Sequence, residues 1–230
     1  QALIDRRGAK PALVTTQGFR DVIEMRTESR FDQYDLNLTL PEPLLPRNRR
    51  YVVTERLEAT GRVLVPLDMD EVAALADDLA AADYESVAIG LLHSYANDAH
   101  ERAIREVFEE RLPGVSLSLS SEVSPQMREY ERFNTTIANA YIKPLMASYL
   151  GRLGDRLAAE GVTAPVFLMH SGGGIISLET AATRSRTAPA NAAGSPEARS
   201  NIPRRPPAST GCGHNTDHEV LSVMDRLMSS

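Results

Sequence analysis

Apolar residues recur at steps of three or four through Met127, Tyr130, Phe133, Ile137, Tyr141, Leu145, Tyr149, Leu153 and Leu157, one stripe along many helical turns. The spacing predicts a single long helix over 124–157. Ser124 supplies a capping hydroxyl, and Pro125 sits where a missing N–H costs the helix nothing. Pro144 lies inside the stripe, cannot donate to the carbonyl four residues back, and predicts a bend over 140–144. With α/β patterns on both sides, such a helix either joins two lobes or is the core helix of one.

Upstream, the period changes. Ala12, Leu13 and Val14 form a buried-strand run behind a short helical opening that Lys10 and Pro11 end, and Phe19, Val22 and Ile23 share the face of a short helix after Gly18. The runs 51–57 and 63–67 flank Ala59, Thr60 and Gly61 and read as a hairpin. Asp68 with Glu71 resembles a capping box for a helix reaching about Ala82. The run 86–92, SVAIGLL, is apolar without alternation, as a strand covered on both faces must be. A helix from Asn97 follows, its apolar face holding Ala103, Ile104, Val107 and Phe108, and then Val115, Leu117 and Leu119 alternate as another strand. Strand and helix in turn give an α/β fold with a parallel or mixed sheet.

After the long helix, PVFLM over 165–169 reads as a buried strand running into His170, Ser171, Gly172, Gly173 and Gly174, with a helix expected at 178–182. Bare glycines that leave N–H groups outward suit a phosphate, so Ser171, Gly172, Gly173 and Gly174 are candidate nucleotide-binding residues. A tight turn needing positive φ explains the same glycines. The stretch 26–48 carries three prolines, alternating charge and no period. Arg26 and Arg30 offer planar donor forks, Tyr34 a stacking face and Asp35 a carboxylate, so these four are candidate substrate contacts on a loop that otherwise reads as salt-bridged surface. His93 falls at the carboxyl end of strand 86–92, where open α/β sheets place ligands; it either titrates usefully or, like His100, fixes the loop, with Asn97 as the helix cap. Glu129 and Arg132, three apart on the long helix, read as an exposed ion pair.

The totals narrow the class. With 230 residues, 42 % of them hydrophobic, a substantial core can form, and a net charge of −6 points to no nucleic acid. The single cysteine, Cys212, excludes a disulfide framework and fits a reducing cytoplasm; no run is long and apolar enough to span a membrane. Beyond Thr183 the chain turns to Ala, Arg, Pro and Ser without period, which predicts a disordered tail over 185–230. Cys212, His214 and His218 lie there without a ligand frame, so no metal site is expected. No Walker loop, dinucleotide fingerprint or nucleophile elbow occurs, and residue chemistry by itself names no reaction.

Several ordered stretches together resemble the hydantoinase/oxoprolinase A family: ALIDRRGAK, ALVTTQGFRDVIEMR, FDQYDLNL, ERLEATGRVLVPLD, VAIGLLHSYANDAHE, LSSEVSPQMREYER, TTIANAYIKPLMASYL and PVFLMHSGGGI. The resemblance implies an actin-like, sugar-kinase-like ATPase fold of two incomplete α/β lobes joined by the long helix. It implies a partial N-terminal α/β domain over 1–122, the linking helix with the start of the hydantoinase A domain over 123–184, and a tail that departs from the family. It further implies ATP with Mg2+, used to phosphorylate the ring amide of 5-oxoproline or a hydantoin before water opens it, because phosphorylation turns a poor electrophile into one with a good leaving group. A related ketone carboxylase subunit has the same signature. The implied partner is a B-type subunit or fused B domain, with a homo-oligomer as a further possibility; a non-catalytic fragment docking on a B subunit through 26–48 or the long helix is the third reading. Family members carry a DxGGTFTD-like phosphate loop upstream and a second glycine-rich segment downstream, and this chain reads His170 and Gly172 where the family has Gln and Asn or Asp. The expectation is a truncated piece with a frame-shifted tail that binds nucleotide poorly and does not hydrolyse ATP alone.

Overall fold

The computed structural model describes residues 2–27, 34, 37, 40–162, 164–169 and 174–178. The chain divides into two compact units, one of residues 1–33 and 43–190, the other of 34–42 and 191–230. The architecture below belongs to the first. Its elements are β1 (Pro11–Thr16), α1 (Val22–Met25), a 3-10 turn (Arg47–Arg49), β2 (Arg50–Val53), β3 (Arg56–Leu57), β4 (Val63–Val65), α2 (Met69–Ala81), β5 (Ser86–Gly90), α3 (Ala99–Arg111), β6 (Ser116–Leu119), α4 (Ser120–Val123), α5 (Glu129–Ala159), β7 (Phe167–Met169) and β8 (Ile175–Ser177).

Four strands form one parallel sheet in the order β2-β1-β5-β6. Both faces of the central strands are buried, which is why β1 and β5 read as unbroken apolar runs. Ala12, Val14, Val87, Ile89, Leu117 and Leu119 pack on Val72, Leu75 and Leu79 of α2 and Ile104 and Phe108 of α3. Leu13 and Ala88, one residue out of phase, pack with Ile23 of α1 and with Phe133, Ile137 and Ala140 of α5. The fold is thus α/β with helices on both sides of a parallel sheet. Among the described residues no helix is long and apolar enough to cross a membrane.

Helix α2 starts as its sequence demands: the Asp68 carboxylate accepts the Asp70 and Glu71 N–H groups at 3.0 and 3.1 Å. The reciprocal arm of the capping box is absent, because Glu71 accepts the Thr54 N–H at 2.7 Å and ties α2 to the end of β2. Four other expectations are corrected. The opening residues form turns, not a helix. The run 51–57 divides: its first half joins the parallel sheet as β2, and only β3 pairs antiparallel with β4. Ser124 ends the short α4, its N–H on the Ser120 carbonyl, so the long helix begins later, at Glu129, behind Arg128 with φ +85°. β7 is not a buried strand; Phe167 and Met169 are exposed in a two-stranded ribbon. Gly174 leads into β8, antiparallel to β7; of the helix expected at 178–182 only Leu178 lies within the described residues.

Helix α5 runs on through Pro144. Next to that residue the Tyr141 carbonyl receives the Ala9 N–H at 2.9 Å, and Lys143 Nζ donates to the Leu117 carbonyl at 2.5 Å, so the helix is pinned where its own ladder is interrupted. The apolar stripe serves the core only as far as Tyr141; Leu145 and Tyr149 are exposed, and past the proline only Leu150 is buried among the residues described.

Candidate functional site

The carboxyl ends of parallel strands leave backbone groups that need partners, and open α/β sheets place their ligands there. Here two chains of buried side chains take those groups. The Thr16 hydroxyl, at the end of β1, accepts the Leu92 N–H at 2.9 Å and donates to Glu55 Oε1. Glu55 Oε2 lies 2.8 Å from His100 Nδ1. The second chain centres on Glu101, which accepts the Leu91 N–H (3.0 Å), the Ser120 hydroxyl (2.6 Å) and the Ser121 N–H and hydroxyl (2.9 and 2.7 Å). Arg132, entirely buried in the first turn of α5, donates to the Leu91 carbonyl (2.8 Å), the Gln126 carbonyl (2.8 Å) and the Ser120 hydroxyl (3.1 Å). Ser94 joins Ser120 at 3.0 Å. Glu101 from one helical layer and Arg132 from the other therefore meet over the sheet edge through Ser120.

The charges are mutually supporting. Burial pushes the Arg132 guanidinium below its ordinary pKa, and the neighbouring Glu129, Glu101 and Tyr95 oppose that shift. Its guanidinium carbon stands 5.4 Å from the Tyr95 ring and 5.2 Å from the Phe133 ring. The expected exposed pair of Glu129 and Arg132 is corrected: Arg132 is buried, and Glu129 at 3.6 Å is its outermost partner.

His93 follows the edge with φ +56° and sits edge-on to Tyr95, whose hydroxyl is 3.5 Å from Nδ1. Its carbonyl accepts the Ala96 and Asn97 N–H groups, so the residue shapes the turn as expected. Asp98 and not Asn97 is the N-cap of α3; Asn97, one residue earlier, accepts the Ala99 N–H (3.1 Å) and donates to the Gly61 carbonyl (2.8 Å), joining this turn to that between β3 and β4. His100 departs from the expectation that it bonds backbone; its partner is the Glu55 carboxylate.

Of the candidate substrate residues, Arg26 closes α1 with φ +54° and ψ −136°, a sparsely populated backbone for an arginine. The segment around it is anchored: buried Arg50 donates to the Leu45 carbonyl and to Glu24, and Arg47 grips Asp21 at 2.6 and 3.0 Å, which holds the Asp21 carboxyl below the usual carboxylate range. Tyr34, in the other unit, is exposed. Arg30 and Asp35 lie outside the described residues, as do Ser171, Gly172, Gly173, His170 and the tail with Cys212, His214 and His218. Gly174 is half-buried at the start of β8. Among the described residues no group of three or more His, Cys, Asp or Glu side chains could share a metal ion.

Glu55, Glu101, Ser120 and Thr16 are absent from the residues singled out in the sequence, and Arg132 stands there only as an exposed ion-pair partner. One signal for Glu101 existed: positions 100, 104 and 108 share a helical face, which puts His100, and Glu101 beside it, on the buried side of α3 with Ile104 and Phe108.

The profile of the hydantoinase/oxoprolinase N-terminal region matches residues 1–112, and that of hydantoinase/oxoprolinase matches residues 132–204. The ATP-dependent caprolactamase from Pseudomonas jessenii superposes with a TM-score of 0.71 at 30 % identity, over 81 % of this chain and 28 % of the other. Acetone carboxylase in its nucleotide-free structure superposes with a TM-score of 0.69 at 29 % identity, over 81 % and 28 %. The 5-oxoprolinase of Saccharomyces cerevisiae is 27 % identical over 195 residues, 74 % of this chain and 15 % of that protein. The chain spans about a quarter of the length of the curated relatives it matches first. It belongs to the hydantoinase/oxoprolinase family.

Proposed function

We propose that this chain is part of an ATP-dependent hydrolase that opens a cyclic amide of the 5-oxoproline, hydantoin or lactam kind. The likeness to the caprolactamase over 81 % of the chain carries the reading. In it the parallel-sheet unit is one portion of an actin-like, two-lobed ATPase, with α5 leading toward the second lobe and ATP held with Mg2+ between lobes. Ser171, Gly172, Gly173 and Gly174 would contribute backbone N–H groups to the phosphates, and Arg26, Arg30, Tyr34 and Asp35 would face the ring. A B-type subunit in the cytoplasm is the partner, and this chain alone does not turn over ATP. A second reading, a subunit of an ATP-dependent ketone carboxylase, is favoured by the comparable likeness to acetone carboxylase.

The test is a chimaera in which residues 2–178 replace the matching segment of the caprolactamase. Lactam-dependent phosphate release is expected from the chimaera and none from the 230-residue chain. Turnover driven only by a ketone would establish the second reading. A folded chimaera inert to both classes would sink the proposal.

A further inference from the structure

We propose that Glu55 and His100 form a general acid–base dyad in which the carboxylate fixes the imidazole with Nδ1–H inward and Nε2 as the proton-accepting atom. Three observations carry it. The Glu55 side chain is completely buried and its two oxygens are committed, one to Thr16 and one to His100 Nδ1 at 2.8 Å. The Thr16 oxygen already accepts the Leu92 N–H, so its own hydrogen points at Glu55 and the carboxylate is oriented from both sides. A carboxylate offers only acceptors, so the proton of the pair sits on Nδ1. Finally, Nε2 has no hydrogen-bond partner among the described residues and is not among the sealed polar atoms, and the side chain keeps 11 % of its surface open.

The neighbouring chain supplies the contrast. Glu101 is surrounded by four donors, and all three groups of the Arg132 fork are occupied; that chain is closed. The chain through Glu55 ends on an open nitrogen. Carboxylate, oriented imidazole and free ring nitrogen, in that order, are the parts that make a histidine a proton-transfer group. They lie at the sheet edge where α/β folds bind ligands.

The substrate class follows from the proposed function, on which this part rests. As the carbonyl oxygen of a cyclic amide attacks the γ-phosphorus of ATP, the bond to ADP breaks and its electron pair leaves on ADP. The nitrogen lone pair becomes the C=N bond, the N–H pair stays on nitrogen as its new lone pair, and that proton passes to His100 Nε2; the imidazolium is balanced by Glu55. A ketone needs the same acceptor for the C–H beside its carbonyl, the pair becoming C=C. One base would serve both chemistries.

The experiment uses the 230-residue chain and Glu55→Gln. The amide keeps the shape: its oxygen accepts from Thr16, and its nitrogen can only donate to Nδ1, so the ring proton moves to Nε2. Long-range nitrogen–proton NMR in mildly alkaline buffer is expected to show Nε2 unprotonated in the parent and protonated in the variant. Carbethoxylation of His100 by diethyl pyrocarbonate, read by mass spectrometry, is expected to slow at least about tenfold in Glu55→Gln, since the tautomer is wrong. A parent chain with Nε2 protonated, or His100 unreactive in it, overturns the dyad even if the variant does not fold. Protection of His100 by ε-caprolactam or 5-oxoproline supports the substrate class. An intact dyad with no protection overturns the cyclic amide as the dyad's ligand but not the tautomer, and the cyclic-amide reading of the whole enzyme is decided separately by the chimaera.

Discussion

Arg132→Met removes a charge that the core has enclosed on every side, and its cost can be worked from the contacts. The guanidinium gives one hydrogen bond each to the Leu91 carbonyl, the Gln126 carbonyl and the Ser120 hydroxyl, all at 3.1 Å or less. Two carbonyls that lose their donor in a dry site cost about 1–3 kcal/mol each. Against this, the guanidinium no longer has to be stripped of water, a penalty already visible in its depressed pKa. Glu101 keeps four donors from Leu91, Ser120 and Ser121, so its charge is not stranded. The loss therefore belongs at the lower end of the range for a broken buried pair, about 3 kcal/mol. With a urea slope of about 2 kcal/mol per molar, the unfolding midpoint should fall by about 1.5 M. Far-ultraviolet circular dichroism across a urea series measures it, helix α5 and its neighbours supplying the signal. Arg132→Lys should recover at most half, because one ammonium cannot reach three partners set around a planar fork. A midpoint shift under about 0.5 M for Arg132→Met, on the same slope, would refute the reasoning.

Two further outcomes concern the core. Gly90→Ala places a methyl 2.7 Å from Phe133 Cδ1, and this overpacking should cost about 1–3 kcal/mol, largely relieved in a double variant with Phe133→Leu; equal stability of Gly90→Ala and parent in urea would show that α5 is not seated tightly on β5. Burial and the Tyr51 hydroxyl at 3.0 Å push the Tyr84 phenol up to about 12. Its folded pKa exceeds the unfolded one, so its contribution is complete below the unfolded value near 10 and is lost as pH rises through about 12. Two units correspond to at most about 2.7 kcal/mol, shared with Tyr51. Urea midpoints followed into alkali should decline, in step with phenolate absorbance, and Tyr84→Phe should flatten the decline over that window.

The elements legible from the chain were those whose sequence period matched their burial. β1 and β5 read as unbroken apolar runs because α2 and α3 cover one face and α1 and α5 the other. Asp68 read as a cap because its bonds are local. The start of α5 misled because Ser124 and Pro125 satisfy every local rule for a helix opening, while the chain uses them to leave α4, the Ser124 N–H closing on the Ser120 carbonyl. The apolar stripe reads as continuous past Pro144, yet Leu145 and Tyr149 are exposed, since periodicity tells which face is apolar and not what lies against it. At the sheet edge, Arg132 was hidden by its neighbours: surrounded by Arg128, Glu129 and Glu131, it looks like one more surface charge. Glu55 was hidden by distance, because its partners Thr16 and His100 lie 39 and 45 residues away and no spacing rule connects them.

Buried carboxylates are a poor way to gain stability, since a well-packed apolar replacement is often as good, and this edge holds two of them. Their distribution says what they accomplish instead. Leu91 and Leu92 are the first residues beyond β5, where the strand ladder has stopped, and their two N–H groups go to different acceptors: Leu91 to Glu101, Leu92 to Thr16 and through it to Glu55. Glu101 and His100, the partner of Glu55, are consecutive residues in the first turn of α3, so a single turn of helix fixes both. Arg132 then holds the Leu91 carbonyl from the opposite layer. The turn that carries His93, Ser94 and Tyr95 is thereby set against the sheet from both faces, by bonds that depend on direction as apolar contacts do not. An apolar edge of equal volume would fill the space but leave the turn free to slide. The polar edge holds it in one place, with a ring nitrogen of His100 on its open side.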